Sequence, residues 1–346
     1  MALGRLPGVS VAVVRTDDVV WARGYGLANI WRGEPVRPST LFMLASISKT
    51  VIATAVMQAV ERAQFGLDDD VNDILPFPVR TPEHPKRAIT VRHLLTHTSG
   101  IRDRWPVWDD LYSEGDSTIP LGTFLEGYLV AGGEDYRRTN FYDTKPGSRY
   151  SYSNVGGALA AFLVEAASGE GFDTWCESNI FEPLGMDRAG WHLADVPAAD
   201  VAMPYRWSAD RSRFEAYGQY GYPDYPDGAL RTTAPQLAQH LGMMMNRGAW
   251  NGVRVLERDT VREMLRSQIP DAEYGQGLLW YRTRSGGRTL IGHNGGDQGV
   301  ATVAFYDRDD DLGVVVLANG NWRRVGARWP LQQIMHLVFD RAPSLA

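Results

Sequence analysis

The chain has 346 residues, 44% hydrophobic and 22% charged, with a net charge of −6. That length supports a large buried core and allows two domains, while the acidic balance gives no nucleic-acid footprint and no apolar run nears the roughly 20 residues of a membrane span. The single cysteine, Cys176, excludes an internal disulfide and a cysteine-based zinc cluster.

Residues 1–7 lack the apolar core and small-residue cleavage site of a signal peptide, so the expected location is cytoplasmic, or secreted or periplasmic if a leader was removed. Residues 9–14 are rich in valine and end at Thr16-Asp17-Asp18, a turn signal, and residues 19–26 read as the returning strand of a hairpin. A polar loop follows over 33–40. An apolar helix then runs from Ser46 to Gln64 and stops at Gly66. From 67 to about 266 the helical period dominates, interrupted by a long aromatic stretch over 102–145 that suits a binding site better than a plain connection. Residues 156–167 and 233–247 are further helices. The strand signal returns at 288–292, 300–306 and 312–318, and Pro330 opens a closing helix with Leu331, Ile334, Met335 and Val338 on one face. Strands at both ends with helices between them predict one sheet built from both termini and a helical region inserted in its middle.

The chemistry centres on Ala45-Ser46-Ile47-Ser48-Lys49-Thr50. Ser46 and Lys49 share the first exposed turn of the predicted helix, close enough to touch. A serine hydroxyl needs a neighbouring base to take its proton. A lysine serves if burial or a nearby cation lowers its pKa. The chain holds only three lysines, Lys49, Lys86 and Lys145, so a chance Ser-x-x-Lys is expected only about 0.15 times. Tyr152-Ser153-Asn154 offers a phenol that can pass a proton and an amide that can bond an acyl group, and His293-Asn294-Gly295-Gly296 ends a predicted strand where glycines admit a substrate. There is no Gly-x-Ser-x-Gly elbow, and His93 and His97 enclose Leu-Leu-Thr without the glutamate of a zinc protease.

Together Ser46-x-x-Lys49, Tyr152-x-Asn154 and His293-x-Gly295 resemble, in order and setting, the three signature motifs of the serine β-lactamase and penicillin-binding-protein superfamily. The Tyr-x-Asn form points to the branch of class C β-lactamases, DD-peptidases, D-aminopeptidases and family VIII carboxylesterases. The segments 67–71, 93–100 and 228–233 support the likeness. It implies an α/β fold with a five-stranded antiparallel sheet flanked by helices, residues 1–67 plus 274–346 forming the sheet domain and 68–273 the inserted, mainly helical one. It also implies Ser46 as acylated nucleophile, Lys49 as its partner and base, and Tyr152 as proton shuttle, with the first proton going to either Lys49 or Tyr152. Asn154, His293 and Gly295 become substrate-binding or supporting residues, and the N–H groups of Ser46 and Gly296 the oxyanion hole. Trp105, Trp108 and Tyr222 are possible pocket walls. No metal or organic cofactor is implied. The expected activity is hydrolysis of small esters, amides or peptides, with β-lactamase, DD-carboxypeptidase or a non-catalytic acyl-accepting sensor as alternatives. The family's opening helix looks absent or truncated, a feature that would favour an exposed apolar patch or a homo-oligomer.

Overall fold

The computed structural model describes residues 5–104, 110–269, 275–321 and 329–342. Its sheet begins with β1 (Gly8–Arg15), whose period-2 alternation sorts its side chains between two cores. Val9, Val11 and Val13 face one side, and Ala12 and Val14 the other. The chain returns as β2 (Asp18–Asn29), to which the two-residue β3 (Glu34–Pro35) pairs. The C-terminal third supplies β4 (Tyr281–Ser285), β5 (Arg288–Asp297), β6 (Val300–Asp307) and β7 (Leu312–Ala318). The strand order is β4-β5-β6-β7-β1-β2-β3, every neighbouring pair antiparallel, with Val11 opposite Val316 at the seam between the two ends of the chain.

The five predicted strands are all present, and β3 and β4 extend the sheet at its two edges. β4 carries Arg282 and Arg284 in a short alternating run, an edge strand whose pattern is too polar to announce itself. β5 runs further than expected, so His293 to Gly296 lie within the strand rather than after it.

α1 (Ser48–Glu61) is buried from Ser48 to Gln58, the pattern of a helix enclosed on all sides. It packs on α2 (Asn154–Ser168), whose Gly156, Gly157, Ala158, Ala160 and Ala161 allow close approach. α3 (Ala234–Met245) lies inside the 68–273 stretch yet packs on the sheet, with Leu241 beside Gly313 of β7. The opposite face is covered by α4 (Pro330–Arg341) through Leu331, Met335 and Phe339. The valines of β1 on that face are at most 2% exposed. Among the described residues no helix is long and apolar enough to cross a membrane.

Candidate active site

Ser46 sits on a single 3₁₀ turn, Ala45–Ile47, that leads into α1. Ala45 before it has φ 48°, a left-handed conformation costing a non-glycine residue about 1–2 kcal/mol. The surroundings hold it there. The Leu44 N–H donates to Leu230 O at 2.8 Å, and Thr302 Oγ1 of β6 donates to Leu44 O at 2.7 Å. Gly295 of β5 packs against the same turn. A Cβ at Gly295 would stand 2.4 Å from both Leu44 O and Thr302 Oγ1 and 3.0 Å from Ser46 N, so only glycine lets the strand come this close. Its role is to seat Ser46 against the strand, and Gly296, the next residue, lines a cavity together with Ser46.

Lys49 was expected on an exposed turn. It is instead fully buried, because α1 enters between α2 and the 224–233 segment. Its Nζ donates to Ser46 Oγ at 3.2 Å and to Asp227 O at 2.7 Å, and lies 3.5 Å from Asp227 Oδ2. A Cβ at Gly157 of α2 would stand 3.3 Å from Lys49 Cε, so the aliphatic stem is held on that side as well. Burial pulls the lysine pKa down, but Asp227 foremost, with Tyr152 and Asp103, pulls harder and holds it above its ordinary value. The sequence reading, in which the environment lowers this pKa, is therefore corrected. At rest Lys49 is an ammonium ion beside Asp227.

Tyr152 keeps 37% of its surface exposed at the cleft mouth while its hydroxyl interacts with Ser46 and Lys49. Burial of that hydroxyl pushes its pKa up, and the Lys49 ammonium opposes the rise. The Lys49 Nζ also lies 5.1 Å from the ring centroid. The tyrosine ring rests on His97 at 4.3 Å. His97 has φ 55° and accepts the Ser153 N–H at Nδ1, 3.2 Å, so it ties the Tyr152 loop to the end of the 91–95 helix. Burial first and Lys49 second keep His97 neutral.

Asn154 begins α2, capped by Ser153 Oγ, which accepts the Gly156 N–H at 2.9 Å. The Asp103 carboxylate completes the cap. It accepts from Asn154 N at 2.7 Å, Ser153 Oγ at 2.9 Å and Val155 N at 3.3 Å. A negative charge here also meets the positive end of the helix. Asn154 shows no hydrogen bond to Lys49, and its Oδ1 is buried without a partner. Asp103→Ala is expected to lower stability by about 0.5–2 kcal/mol, read from denaturant unfolding, and to slow acylation by releasing Tyr152 and Asn154 together. Unchanged acylation in a destabilised variant would limit Asp103 to the cap.

His293 was expected as a substrate-binding or supporting residue. Its ring lies 6.3 Å from that of Tyr152, and His293 Nδ1 bonds Asn294 O at 2.5 Å. Burial, aided by Lys49, depresses its pKa to about 4, so it is neutral at neutral pH and brings no charge to a substrate carboxylate. With Tyr150, Tyr152 and Tyr281 it borders a second cavity of about 320 Å³. Tyr222 does line the cavity at Ser46, whereas Trp105 and Trp108 fall outside the described residues.

Sequence reasoning missed Asp103, Asp224, Asp227 and Arg231. Arg231, fully buried, donates through Nη1 to Trp191 O and Ala229 O and through Nη2 to Tyr220 O, fastening the segment that carries Asp227 and Tyr222. Asp224 is also fully buried and both its oxygens lack partners. Burial and the neighbouring Asp227 keep its carboxyl protonated well above the usual range.

Residues 1–333 match the family model described as Beta-lactamase. The chain belongs to that family. It is similar to the D-aminopeptidase of Gluconobacter oxydans, 28% identical over 90% of this chain and 56% of that protein. It is also similar to esterase EstB of Burkholderia gladioli, 32% identical over 58% of this chain and 50% of that protein. It thus spans about half the length of these curated relatives. Among solved structures, the octameric penicillin-binding protein homologue from Pyrococcus abyssi superposes with a TM-score of 0.74 at 26% identity, covering 98% of this chain and 75% of that one. A D-amino acid amidase from Ochrobactrum anthropi SV3 gives 0.77 at 19% identity over 98% and 94%, a likeness of fold. The fold, with its antiparallel sheet flanked by helices, is shared with these solved structures.

Proposed function

We propose that the chain is a serine hydrolase that cleaves small ester or amide bonds through an acyl-enzyme on Ser46. The observation that carries this reading is the contact of Lys49 Nζ with Ser46 Oγ at 3.2 Å, with the Tyr152 hydroxyl interacting with both. Once the Lys49–Tyr152 pair has lost one proton, it takes the Ser46 proton as Oγ attacks the carbonyl carbon. The carbonyl oxygen gains charge facing the N–H groups of Ser46 and Gly296, which are fixed before the reaction begins. The pair then returns the proton to the leaving alcohol or amine, and water hydrolyses the ester on Ser46 by the same steps. Neutral His293 disfavours substrates that need a cation for a carboxylate, so ester and amide hydrolysis is favoured over β-lactam turnover. The helical residues between β2 and β4 act as the second wall of the cleft. The octameric relative supports a further proposal of self-association, which light scattering tests.

Incubation with a p-nitrophenyl ester is expected to show a burst of one equivalent followed by continued turnover, and Ser46→Ala to abolish both this and labelling by a serine-directed phosphonate. Nitrocefin is expected to turn over weakly or not at all. A stoichiometric burst with no steady state would make the chain an acyl-accepting sensor, and nitrocefin turnover matching the best ester would overturn the substrate preference.

A further inference from the structure

The cavity of about 280 Å³ beside Ser46 has an unusual charge balance. Its lining includes Asp227 and Asp297 and, among the described residues, no lysine or arginine. Asp227 is matched by Lys49. Asp297 is not matched by any ion pair among the described residues. It is held by neutral donors, the Tyr112 hydroxyl at 2.7 Å and the Gln298 N–H at 2.7 Å, with the Tyr222 hydroxyl also contributing. A carboxylate kept in place by neutral donors inside a cleft remains available to an incoming cation.

Two further features face the same space. Tyr112 and Tyr222 stand with ring centroids 5.5 Å apart at 71°, and aromatic faces attract ammonium groups. Asn154 also lines the same cavity. Position matters as much as charge. Asp297 directly follows Gly296 on β5, so their Cα atoms are about 3.8 Å apart. An acyl carbon bonded to Ser46 Oγ, with its oxygen toward Gly296 N–H, therefore carries its α-substituent within a side chain's reach of Asp297.

We propose that Asp297 is a specificity-determining residue that selects acyl groups bearing a protonated amine near the scissile carbonyl, with Tyr112 and Tyr222 completing the ammonium site. This rests on the acyl-enzyme reading and names its substrate class. The bound ammonium replaces the ion-pair partner that Asp297 lacks. An acyl group with a carboxylate at the same place meets Asp297 and is repelled.

The test compares alanine p-nitrophenyl ester with its N-acetylated form, in both stereoisomers, against wild type and Asp297→Asn. In the wild type, kcat/KM is expected to favour the free amine at least tenfold in one stereoisomer. Asp297→Asn, nearly isosteric, is expected to erase that preference while changing the N-acetylated ester less than about threefold. The corresponding amides are also titrated calorimetrically into Ser46→Ala protein, with and without Asp297→Asn, so selectivity is read even where no turnover occurs. Equal use of the two esters by the wild type, or a preference that survives in folded Asp297→Asn, overturns the proposal. Turnover of the N-acetylated ester alone overturns the amine site and leaves the hydrolase standing. Selective amine binding without acylation overturns the hydrolase and leaves the site standing.

Discussion

Lys49→Arg is expected to lower kcat/KM by roughly 10²–10⁴-fold, the range a positioned proton-transfer group contributes, with acylation of Ser46 slowed by the same factor. Arginine keeps the positive charge but does not give up its proton at any pH the protein tolerates. The slot is also shaped for a lysine. Nζ reaches Asp227 O at 2.7 Å and Ser46 Oγ at 3.2 Å, and Gly157 crowds the stem. A planar guanidinium there displaces Ser46 or Asp227. Lys49→Met, similar in length, separates the two effects. It removes the charge and leaves Asp227 buried without its cation, so it is expected to be both inactive and less stable than Lys49→Arg. Phosphonate labelling rates and urea unfolding on both variants check this. Near-normal acylation in Lys49→Arg would remove Lys49 from proton transfer and leave it a fixed charge.

The sheet and the side chains that meet at the cleft were legible in the sequence, and the electrostatic frame around them was not. Ser46 and Lys49 announce themselves by helical spacing in a lysine-poor chain, and Tyr152 and His293 by their neighbours. The strands β1, β6 and β7 are runs of β-branched residues whose alternation fills two cores, so propensity and burial agree. Asp227 has no such signal. It lies 178 residues from Lys49 in a Tyr-Pro-Asp-Gly stretch that reads as a turn, and only the fold brings the two together. Asp103 caps a helix 51 residues later, beyond the reach of any local capping pattern. The burial of Lys49 also runs against the ordinary preference of lysine for the surface, and a single helix pattern cannot report what packs over its first turn. The direction of the Lys49 shift followed from the same gap, since the sequence showed the lysine without its carboxylate.

Asp227→Asn is expected to move the rising limb of the kcat/KM profile to lower pH by about one to three units, measured with a substrate that does not itself titrate. The sign follows from the groups around Lys49. Burial favours the neutral amine, and the Asp227 carboxylate is foremost among the groups that reverse this. Removing the carboxylate leaves burial opposed by the weaker pulls of Tyr152 and Asp103, so the Lys49–Tyr152 pair loses its first proton at a lower pH. The shift belongs to the pair and does not depend on which member carries the remaining proton. Position is preserved, because Lys49 Nζ also donates to the backbone oxygen of residue 227, which the substitution keeps. In the wild type, burial raises Asp227 itself to about 7 against the pull of Lys49, so its hold on the lysine fades as the pH falls through that value. The wild-type profile is therefore expected to bend near neutrality and the Asp227→Asn profile to follow a single ionisation. A limb that stays in place or moves to higher pH would show that Asp227 does not govern the proton on which acylation depends.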